Sequence, residues 1–226
     1  MKKIIRFFST ALLALLVLTA WPAALAESAG EASAPILLVN ADHPLPVGYA
    51  PAELVNLYEQ KRHFRLANSD LYLERETFEA ANRMFKLAED EDMNGFIITS
   101  AYRTYEQQEA MYESKPEGIA QLPGHSEHET GMAFDVTAQR ESGGFDSTPQ
   151  FKWLIEHCWE FGFILRYPEG KEEITGISYE SWHYRYVGVE AALIIRDHGW
   201  TLEEYIESLN AVPRETAVPA RPGQGE

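Results

Sequence analysis

The chain has 226 residues, of which 45% are hydrophobic, 24% charged and 12% aromatic, with a formal net charge of −16 and a single cysteine. It is too apolar and too aromatic for a disordered chain, and too acidic for a nucleic-acid partner, whose phosphates call for an excess of Lys and Arg. One cysteine makes no internal disulfide, which rules out a disulfide-stapled miniature domain.

The N-terminus reads as an export signal over residues 1–26. Lys2, Lys3 and Arg6 precede an apolar run from Ala11 to Ala20, and Ala24-Leu25-Ala26 forms a small-x-small cleavage site. The run is shorter than the about 20 residues that a membrane span needs, so no stable span is expected after cleavage. No cysteine directly follows it, so a lipid anchor is not expected. Cleavage would leave 200 residues with 16 basic and 35 acidic side chains, a net charge of −19. The expected location is periplasmic or on the cell-wall side, and the length suits one domain with a sizeable core.

Residues 27–35 are small and polar and read as a linker. Residues 36–39 form a short apolar run expected to be extended, and residues 43–51 carry three prolines, an irregular wrapping segment. Phe78, Ala81, Phe85 and Ala88 recur at helical spacing and predict a helix over 76–88. Residues 96–99 predict a buried strand. Thr104 and Gln107 form a capping box that opens a helix to about residue 112. A strand is expected within 131–136. Thr148-Pro149 starts a helix that should bury Phe151, Leu154, Ile155 and Cys158 and end at Gly162. Strands over 163–165 and 182–187 precede helices over 188–198 and 201–209, the latter opened by a Thr201–Glu204 capping box. Residues 211–226 are rich in proline and glycine and read as a disordered tail. The domain is therefore 36–210. Strands and helices do not alternate regularly, which predicts an α+β fold with a small, mainly antiparallel sheet carrying the site and flanked by helices.

The chemistry concentrates in two segments. A polar, turn-rich stretch, Pro123 to Gly131, runs into the apolar Met132-Ala133-Phe134 and ends at Asp135. A carboxylate beside apolar strand residues is costly unless paired or metal-bound. His128 and Asp135, with a turn at Gly131 between them, can converge on one cation of zinc's preference. His183, in Glu180-Ser181-Trp182-His183-Tyr184, is the best candidate for a third ligand. Three protein ligands leave a position open for water, and a nearby glutamate such as Glu180 can take that water's proton. Cys158 reads as core, and His43, His63 and His198 as structural. His125 is either close to the metal loop or structural. Glu127 and Glu129 are expected to be solvated. Tyr184 and Tyr186 are both candidates for the cleft wall.

The segment Ser126-Glu127-His128-Glu129-Thr130-Gly131-Met132-Ala133-Phe134-Asp135 fits Ser-x-His-x-x-Gly-x-Ala-x-Asp, and Glu180-Ser181-Trp182-His183 fits Glu-x-x-Trp-His. In this order and separation they resemble the VanY-type zinc D-alanyl-D-alanine carboxypeptidases, which share a fold with lysostaphin-type endopeptidases and the hedgehog signalling domain. Ser100-Ala101-Tyr102-Arg103, with Gln108 beyond it, is similar to the family's Ser-Gly-Tyr-Arg segment, with Ala101 in place of the glycine. Leu38-Val39-Asn40 and Pro44-Leu45-Pro46 resemble its N-terminal wrap, so the likeness covers roughly residues 36–200. It implies one zinc per chain, held by His128, Asp135 and His183. Glu180 would be the general base and then the acid. Arg103 would stabilise the oxyanion or anchor the substrate carboxylate, and Gln108 and Ser126 would help hold the terminal D-alanine.

The implied activity is removal of C-terminal D-alanine from peptidoglycan stem peptides. An L,D-carboxypeptidase acting on tetrapeptide stems is the alternative within the same chemistry. A non-hydrolytic wall-binding module of the same fold is the alternative outside it, disfavoured because base, arginine and ligands are all present. The sequence carries no clear oligomerisation signal.

Overall fold

The computed structural model describes residues 36–115, 120–139 and 143–211. The expected signal peptide, the linker and the tail beyond residue 211 lie outside the described residues. In chain order the strands are β1 (Leu54–Asn56), β2 (Arg65–Leu66), β3 (Tyr72–Glu74), β4 (Phe96–Ser100), β5 (Ala133–Ala138), β6 (Phe163–Tyr167) and β7 (Glu180–Tyr186). The helices are α1 (Arg75–Asp90), α2 (Tyr105–Ser114), α3 (Pro149–His157), α4 (Glu172–Thr175), α5 (Val189–His198) and α6 (Leu202–Ala211). None of the helices is long and apolar enough to cross a membrane, among the described residues.

The main sheet has the order β2-β4-β5-β7-β6, while β1 and β3 form a separate antiparallel ribbon. Only the short β2–β4 pair is parallel; the other three ladders are antiparallel. This is the α+β fold with a small, mainly antiparallel sheet that the sequence predicts.

Side-chain alternation on these strands sorts the two faces of the sheet, because neighbouring residues on a strand point to opposite sides. Phe134, Val136, Phe163 and Tyr184 enter the larger apolar core with Phe85 and Met84 of α1. The Phe85 ring packs 5.1, 4.9 and 6.1 Å from Phe64, Phe96 and Phe134. The residues between them, Asp135, Ile164, Arg166, His183 and Arg185, face the other way. At one end of that second face, Ile164 packs with Ala192, Ile195 and Leu202 of α5 and α6. The rest of the face is left for polar chemistry.

The predicted helices and strands are present with small shifts of boundary. Both capping boxes form: Gln107 and Thr104 exchange bonds at the start of α2, as do Glu204 and Thr201 at α6. Residues 36–39 join no strand; the Leu37 carbonyl instead accepts from Arg185 Nη2 at 2.8 Å. In α3 the burial is Trp153 and Leu154, with Ile155 41% exposed. Trp153 takes the inward position because its ring packs edge-on against Phe96 and its indole N–H reaches Glu91. Cys158 is buried as expected, and burial pushes its thiol up to about 12, so it is not a nucleophile at neutral pH.

Candidate metal centre and substrate cleft

β5 and β7 are adjacent and antiparallel, and their register places Asp135 directly opposite His183. His128 arrives from the 3-10 turn Glu127–Thr130, which ends at Gly131 with φ +71°. A Cβ at Gly131 would lie 3.1 Å from Leu54 and 3.2 Å from the Glu74 nitrogen, so the β1–β3 ribbon packs tightly against this turn. The Glu74 N–H also donates to the Gly131 carbonyl at 2.9 Å. The ribbon thus holds His128 over the sheet.

One ligand atom from each of His128, Asp135 and His183 lies within 4.8 Å of the others. His128 Nδ1 donates to the Ala101 carbonyl at 2.7 Å, which leaves Nε2 facing Asp135 Oδ1 at 3.4 Å. His183 turns Nδ1 to the same carboxylate oxygen at 2.9 Å. The two rings meet edge-on at 4.9 Å. Two imidazoles and one carboxylate match zinc's donor preference. In a tetrahedral site with bonds of about 2.0–2.1 Å, donors sit roughly 3.3 Å apart, so these residues fit the ion.

Electrostatics agree. Burial would raise Asp135, but His128 and His183 overcome it and hold the carboxyl far below its usual range. Burial lowers His128, more than Asp135 can restore, so its imidazole is readily neutral. Burial would also lower His183, yet its hydrogen bonds to Asp135 and Glu127 win and lift it to about 9.

Glu180 lies three residues before His183, and alternation alone would send it to the other face. Between β6 and β7 the register runs from Leu165↔Tyr184 to Tyr167↔Glu180, so four steps on β7 oppose two on β6. This bulge turns Glu180 back into the cleft, with Oε2 4.0 Å from His183 Nδ1. Burial raises its carboxyl above the usual value, with Asp135 adding to the rise and His183 opposing it. A similar irregularity in β4, between Ile98 and Ser100, precedes Arg103.

Arg103 is largely buried. Its Nη1 donates to Gln108 Oε1 at 2.5 Å and lies 3.2 Å from Met111 Sδ. Its Nε is buried with no partner among the described residues. Burial pulls its pKa down, while Asp135, Glu129 and Glu180 pull it back up. Gln108 is itself buried, and its Nε2 donates to the Gln121 carbonyl at 2.7 Å. Both ends of that amide are engaged, so it holds Arg103 in place. Ser126 lies at the start of the 3-10 turn, where the Glu129 carboxylate accepts from the Ser126 and Gly124 N–H groups.

All seven residues singled out in the sequence, Arg103, Gln108, Ser126, His128, Asp135, Glu180 and His183, line one cleft of about 390 Å³. Several neighbours differ from expectation. Glu127 and Glu129 are buried, not solvated. Glu127 binds Arg166, Arg185 and His183, and Glu129 closes the loop described above. Neither Tyr184 nor Tyr186 lines the cleft; Tyr184 is sunk in the core and stacked on Phe134, and Tyr186 donates to Glu76. The tyrosines that line the cleft are Tyr167, its ring 5.0 Å from that of His183, and Tyr179. His125 is structural, its Nδ1 on the Asn40 carbonyl at 2.8 Å. A buried two-histidine, one-aspartate donor set, with a carboxylate at its edge and a guanidinium in the same cleft, forms a candidate metal centre of the kind that metallopeptidases use.

Comparison with known proteins narrows the class. The family model for VanY, D-alanyl-D-alanine carboxypeptidase, matches residues 70–189, and the chain belongs to this family. A D-alanyl-D-alanine carboxypeptidase of Enterococcus faecium is 34% identical over 177 residues, which is 77% of this chain. The chain spans only 58% of that relative's length. The solved LdcB LD-carboxypeptidase, whose structure bears on peptidoglycan recognition, aligns with a TM-score of 0.68 at 34% identity, covering 75% of this chain and 84% of that one. A mutant of the D,D-pentapeptidase VanY from a VanB-type resistance cassette, in complex with Zn(II), aligns with a TM-score of 0.60 at 34% identity, covering 75% and 97%.

Proposed function

We propose that this protein is an exported zinc carboxypeptidase that removes C-terminal D-alanine from peptidoglycan stem peptides. The observation that carries this reading is the convergence of His128, Asp135, His183, Glu180 and Arg103 on one cleft. His128 Nε2, Asp135 Oδ1 and His183 Nδ1 would hold one zinc ion. Bound there, zinc would supply a Lewis acid for the scissile carbonyl and lower the pKa of the attacking water.

The protein's own groups do the rest. Glu180 accepts the proton of the attacking water and returns it to the leaving amine, a task that its raised pKa suits. Arg103 lines the cleft and would turn its guanidinium to an anionic substrate group, either the terminal carboxylate or the oxyanion. Gln108 orients Arg103. Ser126 borders the cleft where the terminal residue would lie. Arg103→Ala is expected to weaken both KM and kcat, which steady-state kinetics on a pentapeptide stem will measure.

The LdcB likeness favours a second reading, cleavage of the L,D bond of tetrapeptide stems by the same residues. Mass spectrometry of the products from separate penta- and tetrapeptide stems, with and without chelator, distinguishes the two. Loss of D-alanine from the pentapeptide alone is the expected result. Loss from the tetrapeptide alone would assign the L,D activity, and zinc binding with no turnover on either would leave a wall-binding module.

A further inference from the structure

Behind the metal triad lies a fully buried charge cluster. Glu127, next to His128 in the sequence, has a side chain with no exposure, as do Arg166 of β6 and, to within 1%, Arg185 of β7. Glu127 Oε1 accepts from Arg166 Nε at 2.7 Å and from Arg185 Nη1 at 2.9 Å. Its other oxygen, Oε2, lies 3.3 Å from His183 Nε2. Arg166 continues to Glu203 of α6 through Nη1 and Nη2, at 2.9 and 2.6 Å. Glu203 also accepts from Asn40 Nδ2 at 3.0 Å. Two guanidinium groups are thus matched by two carboxylates, one of them joined to the triad.

The division of labour between the oxygens of Glu127 is informative. A carboxylate that served only to neutralise two buried arginines could give one oxygen to each. Here both arginines share Oε1, and Oε2 is kept for the imidazole. His183 Nδ1 already faces Asp135 in the triad. With an ion held between Nδ1 and Asp135 the ring would carry one proton, and the acceptor opposite Nε2 would keep that proton there, leaving the Nδ1 lone pair to the ion.

We infer that Glu127 is a positioning residue of the metal centre: its Oε2 accepts the Nε2–H of His183, fixes the tautomer that offers Nδ1 to the ion, and is itself held by Arg166 and Arg185. The inference rests on the zinc reading of the triad given above and extends it to the support behind it. Because Arg166 leads to Glu203 and Arg185 to the Leu37 carbonyl, α6 and the N-terminal wrap brace the same imidazole.

The test is zinc affinity by chelator competition on the full chain, for wild type, Glu127→Gln and the control Glu89→Gln, whose carboxylate sits on His63 away from the cleft. Glu127→Gln keeps the shape and removes the charge. Affinity is expected to drop about 10–100-fold in Glu127→Gln, the usual cost of losing such a partner, and to stay unchanged in Glu89→Gln. Equal, tight zinc binding by wild type and a folded Glu127→Gln overturns this inference alone. Wild-type protein that takes up no zinc overturns the zinc reading, and this inference with it. Should Glu127→Gln not fold, ¹H–¹⁵N spectra of the zinc-loaded wild type decide. A His183 proton on Nε2, bonded to carboxylate, supports the inference, and a proton on Nδ1 overturns it.

Discussion

Two carboxylates meet one imidazole at His183, and the consequence is a proton that the metal must displace. Burial opposes charge on this ring, but Asp135 and Glu127 lift it to about 9, above the ordinary 6.5. The metal-free protein therefore keeps His183 protonated at neutral pH. Zinc uptake at pH 8 is expected to release one proton at Nδ1, and apparent affinity should fall about tenfold per unit as pH drops from 9 towards 7. Calorimetry in two buffers of different ionisation enthalpy measures the proton count, and a count of zero would contradict the assignment. The linkage to stability has the opposite sense. A raised folded-state pKa stabilises the metal-free fold below about 6.5 and loses that stabilisation as pH rises through about 9. Metal-free protein should thus melt lower at pH 9.5 than at pH 7 from this group, and His183→Gln should remove that part of the change. Residue by residue, the ligands and Glu180 were legible because short motifs carry them. Glu127 was not, although it adjoins His128. Its partners Arg166 and Arg185 lie 39 and 58 positions away, and only the folded sheet brings them together.

At the scale of elements, the site depends on departures from regular structure. The bulge in β7 turns Glu180 into the cleft beside His183, and the glycine-terminated turn seats His128 over β5. Gly131→Ala would add a left-handed penalty of about 1–2 kcal/mol, along with contacts of 3.1 and 3.2 Å to Leu54 and Glu74. Gly162, which ends the turn before β6 at φ +84°, is tighter: a Cβ there would lie 2.7 Å from the Tyr186 ring and 2.9 Å from the Gly188 backbone. Chemical denaturation is expected to show Gly162→Ala as the more destabilised variant, and Gly131→Ala as losing zinc affinity as well. Wild-type midpoints in both would contradict these packing arguments. Long periodic elements such as α1, and helix starts with capping boxes, could be read from the chain. The β1–β3 ribbon could not, because three-residue strands carry no readable period and gain their order from the His128 turn that they support.

For the whole molecule, acidity sets the terms on which a substrate approaches. The chain's net charge is −16, and a stem peptide ending in a carboxylate is repelled at long range. The buried Arg103 is screened much less by salt than the exposed acidic surface. Raising ionic strength from about 10 to 150 mM is therefore expected to increase kcat/KM on an anionic stem peptide, and a steep decrease would contradict this picture. Composition excluded nucleic acid and a disulfide framework, but it did not point to peptidoglycan; the motifs did, and the sheet explains why they converge. The central claim is that these residues form a hydrolytic zinc centre with Glu180 as its base. Its most direct test is D-alanine released per bound zinc from a pentapeptide stem, comparing wild type with Glu180→Ala. The account predicts one zinc in each protein and a rate at least 100-fold lower in the variant, in line with the loss of a general base. Full activity in zinc-loaded Glu180→Ala would contradict it.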